Sequence, residues 1–220
     1  MTIQHHPSDE LLLDYASGAL GEAWSLAVAT HLSLCPACRS AMAEMETIGA
    51  GLLDAATPVP LSNDALEMIM QRLESDDVNT QQPAQPVRAQ PSGSGLPQPL
   101  SNYAENGLGE IDWQRLGLGA SQYLIPTGDH GVTARLLRIP AGRPVPEHTH
   151  GGLELTLVLS GAFSDQIGRF GPGDFQEADG SLQHQPRAEP GADCICLAVT
   201  DAPLRFKSLA ARMVQPFLGI

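Results

Sequence analysis

Gly142-Arg-Pro-Val-Pro-Glu-His148-Thr-His150-Gly-Gly-Leu-Glu154-Leu-Thr-Leu-Val-Leu-Ser-Gly161 is the stretch that decides the fold. His148 and His150 are two apart, so on a strand both rings project from one face. Gly151-Gly152 permits a bend that re-aims the chain before Glu154. His184 comes from a distant strand, as a further ligand does when a barrel closes around a metal. Three imidazoles and one carboxylate suit Zn, Mn, Fe, Co or Ni. The residues do not choose among these ions.

Working outward, short β-type runs separated by Gly and Pro surround this stretch. They fall at 122–125, 132–139, 154–159, 163–167, 194–200 and 204–206. Regular short strands with turn signals predict an all-β sandwich or barrel over residues 100–220. In the run Asp193-Cys-Ile-Cys-Leu-Ala-Val, Cys194 and Cys196 share a strand face and read as small core residues. His130, in a Gly-Asp-His-Gly turn, reads as a surface residue.

Upstream, residues 77–99 carry five prolines and almost nothing apolar. Such a composition predicts an extended, flexible linker. Before it, residues 1–76 read as helical. Ser8 is placed to cap a helix over 9–17, and 22–34 forms a second with Trp24, Val28, His31 and Leu32 on one face. Pro36 suits the first turn of a third helix running to about residue 53, and 63–74 forms a fourth. The methionines of these helices, Met42, Met45 and Met70 among them, are expected in the core, though Met also suits an adaptable partner surface. The fold class is therefore multidomain, a small helical bundle followed by a β-barrel.

The helical part carries a second cluster of different chemistry. His31 and Cys35 are four apart and face the same way on a helix, and Cys35-Pro-Ala-Cys38 folds over a helix start that favours a thiolate. A closed tetrahedral zinc site needs a fourth ligand, and His6, leading through Pro7 and Ser8 into the first helix, is the choice over His5. A thioredoxin-like role lacks its βαβ context.

Charge narrows the partners. Residues 1–76 hold 11 acidic side chains against Arg39 and Arg72, a balance of −9 within a total of −13. Such a domain is repelled by phosphate backbones and drawn to basic surfaces, which argues against direct nucleic-acid binding. No apolar run is long enough to span a membrane, no secretory leader is expected, and four cysteines are too few for a disulfide scaffold. The cytoplasm is the expected compartment. Oligomeric state stays open.

The pattern His6…His31-x3-Cys35-x2-Cys38 on a short acidic helical domain resembles the zinc-binding domain of bacterial anti-sigma factors. Residues 142–161 look like the first cupin motif in full. The second cupin motif is looser: Gly173-Asp174 and His184 match, but Ala178-Asp179-Gly180 and Pro186-Arg187 replace its usual Pro and Asn. From Met1-Thr-Ile-x-His-His to Gln215-Pro216-Phe217-x-x-Ile220, the whole chain resembles ChrR-type anti-sigma factors. The resemblance implies sequestration of an extracytoplasmic-function (group IV) sigma factor until singlet oxygen or organic hydroperoxides release it. Oxidant could reach Cys35 and Cys38 or act at the barrel; the barrel is expected, because thiolates in a closed zinc site are shielded. The rival reading is a cupin dioxygenase or isomerase with a helical docking domain, for which Glu147 and Glu177 are the acid/base candidates.

Overall fold

The computed structural model describes residues 2–74, 95–104, 107–117 and 119–207. Helix α1 (Asp9–Ala16) starts where the Ser8 hydroxyl accepts the Leu11 amide. Helix α2 (Glu22–Leu34) ends at Cys35, and α3 (Pro36–Asp54) begins there, the Cys35 sulfur accepting the Cys38 amide. Pro36 occupies the first turn, where a missing N–H costs nothing. Helix α4 (Ala65–Glu74) follows. Most of the expected linker lies outside the described residues. Its end is structured: α5 (Gln98–Ser101) buries Leu100, 1% exposed, in the common core.

The strands are β1 (Gln114–Gly117), β2 (Ala120–Ile125), β3 (Thr133–Ile139), β4 (His148–His150), β5 (Glu154–Ser160) and β6 (Phe163–Ser164). They continue with β7 (Arg169–Phe170), β8 (Phe175–Ala178), β9 (Arg187–Ala188), β10 (Cys194–Thr200) and β11 (Leu204–Phe206). An antiparallel sheet in the order β1-β2-β3-β10-β5-β8 forms one wall. The pair β11-β4 and the triple β7-β6-β9 form the other, with bridges at Pro144–Arg187 and His148–His184. This is the expected helical bundle followed by a cupin-type barrel.

The middle of the large sheet, β3, β10 and β5, is buried on both faces, and that decides how the two halves sit. Along β5, Val158 turns toward Phe163 and Phe170 inside the barrel, while Leu155 and Leu157 join the core formed with α2. Leu197 and Val199 of β10 and Leu136 of β3 do the same. They meet Ala23, Leu26, Ala27 and Val28 of α2, a helix apolar around most of its circumference, as a helix enclosed by neighbours must be. The sequence predicted two bodies joined by a flexible segment. Among the described residues they share one continuous core.

Polar ties cross the same boundary. Gly21 offers no side chain to cap α2, and the Asp129 carboxylate, from the turn between β2 and β3, accepts the Glu22 and Ala23 amides at 3.1 and 2.7 Å. Glu22 reciprocates, accepting the Gly128 amide and the Tyr103 hydroxyl. The two halves thus complete a helix cap between them.

Not every expected core residue is buried. Met42 and Met45 pack against the core, but Met70 of α4 is 47% exposed. So are Ile48, Leu52, Leu53, Leu66, Ile69 and Leu73, which leave an apolar surface along the end of α3 and along α4.

Candidate metal centres

At the helical centre, the ligand atoms of His6, His31, Cys35 and Cys38 lie within 4.8 Å of one another. Cys38 Sγ is 3.3 Å from His31 Nε2 and 3.3 Å from His6 Nδ1, and Cys35 Sγ is 3.4 Å from His6 Nδ1. A tetrahedral ion with zinc-like bonds separates its S and N ligands by about 3.5 Å, so this arrangement fits one. His31 Nδ1 donates to the Gly173 carbonyl at 3.0 Å, which leaves Nε2 bare and aimed at the sulfurs. His5 is turned away, its ring 4.3 Å from that of Phe170. Burial pushes the Cys38 thiol up to about 12 and His31 down to about 4, keeping both neutral. A bound dication would reverse the balance for the thiols.

At the barrel centre, His148 and His150 both point inward from β4, and His184 faces them across a reciprocal backbone bridge (3.0 and 3.1 Å). His184 Nε2 stands 3.1 Å from His148 Nε2 and 3.0 Å from His150 Nε2. Two of the outer nitrogens are fixed: His148 Nδ1 donates to the Pro146 carbonyl, and His184 Nδ1 to Asp165. With those protons placed, His148 and His184 present bare Nε2 atoms to each other. Lone pairs converging at such distances in a buried space call for a cation, and zinc-like bonds would hold them about 3.3 Å apart. Burial pushes His148 and His150 down to about 4, so both stay neutral, as ligation requires.

Glu154 is not among this convergent group. Its carboxylate lies 3.7 Å from His150 Nδ1 and accepts the Thr156 hydroxyl, and burial raises its pKa. His150 Nδ1 itself is buried and has no hydrogen-bond partner among the described residues.

Asp165 escaped the sequence reading. Burial alone would raise its pKa, but hydrogen bonds from His184, Gln176 and the Ile167 and Gly168 amides outweigh that and hold it at about 2. No spacing rule links Asp165 to the histidines; it sits in a turn after β6 that only the closed barrel brings beneath His184. Cys194 and Cys196 are buried and free, as expected, and His130 is exposed. Neighbouring Cys194, then burial, raises the Cys196 thiol.

A histidine-lined cupin barrel fused to a helical unit with a Cys2His2 cluster is the class these features define. Residues 107–203 match the ChrR Cupin-like domain family. The chain is 50% identical over 220 residues, the whole of both chains, to anti-sigma-E factor ChrR of Cereibacter sphaeroides. It is also similar to the solved structure of Rhodobacter sphaeroides SigE in complex with the anti-sigma ChrR, with a TM-score of 0.76 and 46% identity, covering 91% of this chain and 100% of that one. The chain belongs to the ChrR anti-sigma factor family. Among the described residues no helix is long and apolar enough to cross a membrane.

Proposed function

We propose that this chain is a cytoplasmic anti-sigma factor that sequesters an extracytoplasmic-function sigma factor through its helical unit. In this reading residues 1–76 bind sigma, 77–99 connect, and 100–220 form the responsive cupin. His6, His31, Cys35 and Cys38 hold Zn2+. His148, His150 and His184 hold zinc or another divalent transition metal, with Glu154 as a further ligand once its carboxylate turns from His150 Nδ1 toward the three Nε2 atoms.

One observation carries the reading: the apolar surface of α3 and α4. Ile48, Leu52, Leu53, Leu66 and Leu73 are 67–76% exposed on an otherwise acidic helical unit. Apolar side chains gathered this way mark a protein-binding face, and the acidic surroundings favour a basic partner. The similarity to a ChrR solved with SigE supports the choice of partner.

Release follows an oxidative signal of the singlet oxygen or organic hydroperoxide type, received at the barrel. The chain works as a regulator and not as a catalyst. Of the two acid/base candidates, Glu147 is engaged by Gln183 and Lys207, and Glu177 lies exposed and holds Ser8. The test is co-purification of the full chain with each extracytoplasmic-function sigma factor of its genome. Capture of one, lost in Cys35→Ser/Cys38→Ser, is expected. A folded, metal-loaded chain that captures none overturns the proposal. For the signal, His148→Ala/His150→Ala should keep sigma bound under oxidant; release at the wild-type rate would refute a barrel sensor.

A further inference from the structure

The arm that carries His6 is held by the barrel. It lies against β8, the edge strand of the large sheet. The Phe175 amide donates to the His5 carbonyl at 3.1 Å, and Asp174 Oδ1 accepts the Gln4 and His5 amides at 2.7 and 3.0 Å. Glu177 accepts both the Ser8 amide and its hydroxyl, at 2.6 and 3.1 Å. Ile3 packs so closely over Gly173 that a Cβ there would fall 2.6 Å from Ile3 Cδ1. An added segment of this kind satisfies a sheet edge that would otherwise stay open.

The same turn reaches the second ligand helix. The Gly173 carbonyl fixes the ring of His31, and the Phe175 ring meets it edge-on at 5.5 Å. Two of the four donors of the sulfur centre, His6 and His31, are therefore placed by residues 173–177 of the barrel. One residue along β8, Gln176 donates to Asp165, the carboxylate that orients His184. One strand, β8, with its preceding turn thus contacts groups that position ligands of both centres.

We infer that β8 and its preceding turn form the outer shell of the helical metal centre, with Asp174 as its positioning residue. The barrel then tunes how tightly the helical unit keeps its metal, by direct contact and independently of the 77–99 segment. The inference rests on the reading that the Cys2His2 cluster holds metal, and not on the identity of any partner. Outer-shell groups of this kind govern affinity because they fix the ligand rings before the metal arrives.

Cobalt separates the two centres. Sulfur-to-cobalt charge-transfer absorption reports the thiolate site and is assigned by its loss in Cys35→Ser/Cys38→Ser; the histidine centre has no such ligand. The full chain is loaded with Co2+ and the band titrated against a chelator. Asp174→Asn sets an amide NH2 against backbone donors on one side of the carboxyl, and should weaken cobalt binding by roughly tenfold or more. Glu177→Gln changes an exposed side chain of β8 and Ile3→Ala a residue of the arm itself, so they remain informative if Asp174→Asn does not fold. Each should weaken binding several-fold. Unchanged affinity in the variants that fold overturns this inference alone. A wild-type chain with no charge-transfer band overturns the metal reading and this inference with it.

Discussion

Asp165 Oδ2 lies 2.8 Å from His184 Nδ1, and both side chains are buried, 0% and 1% exposed. The carboxylate holds the His184 proton on Nδ1 and so presents Nε2 to the barrel centre. Losing such a partner typically costs 10–100-fold in metal affinity. Asp165→Asn, made in the Cys35→Ser/Cys38→Ser background so that only the barrel binds, should lose that much zinc affinity in a chelator competition. Unaltered affinity would mean that the backbone bridge alone positions His184.

Both clusters were legible because metal chemistry restricts residue type and spacing. His148-x-His150 requires only strand alternation, and His31-x3-Cys35 requires only a helical turn. Asp165 and the Gly173 carbonyl were not legible, because they act through tertiary closure and, for Gly173, through a backbone atom. The helical and barrel classes followed from hydrophobic period. Their packing did not, although a signal was present: Leu-Thr-Leu-Val-Leu in β5 and Cys-Ile-Cys-Leu-Ala-Val in β10 are apolar on both faces, more than a sheet with one wet face needs. Reading α2 as one apolar face hid the matching half of that contact.

The shared cap makes a separate prediction. Asp129→Ala removes the acceptor for the Glu22 and Ala23 amides and should cost about 1 kcal/mol, as other N-cap deletions do. Gly21→Ala should act similarly, since its Cβ would fall 2.9 Å from both Asp129 carboxylate oxygens. Urea midpoints measure both. Amide exchange in the first turn of α2 should quicken in each variant; no change would detach that turn from the barrel's control.

Leu157 is fully buried between β5 and α2, so truncation leaves a cavity in the common core. Leu157→Ala should cost about 2–5 kcal/mol. Because helices and sheet share that core, helical ellipticity and barrel signals should move together to lower urea. A barrel transition that shifts while α2 melts at its original midpoint would show the halves to be independent.

Metal removal should loosen the helical unit unevenly. Helix α2 is held by the sheet through Leu26, Ala27 and Val28, but the arm with His6 and the start of α3 meet it at the Cys2His2 cluster. Hydrogen exchange after chelation should therefore show the fastest amides in residues 36–45, a smaller change in residues 4–8, which Asp174 and Glu177 still hold, and α2 still protected. Equal loss across all three would make the cluster the main support of the whole helical unit.

The apolar surface of α3 and α4 separates binding from folding. Leu52 is 71% exposed and Ile69 54%, so replacing either with a charge removes little from the core. Leu52→Glu and Ile69→Glu should leave the unfolding free energy from urea melts within about 0.5 kcal/mol of the parent, as exposed substitutions usually do. At a protein interface the same changes bury an unpaired carboxylate and add to the repulsion the acidic unit already exerts on any acidic surface. Sigma capture by the full chain should then weaken by about 2 kcal/mol or more, the loss expected when a central anchor is removed. Titration of each variant against the captured sigma factor decides the matter. Full affinity in both would place the sigma-binding face elsewhere on the helical unit.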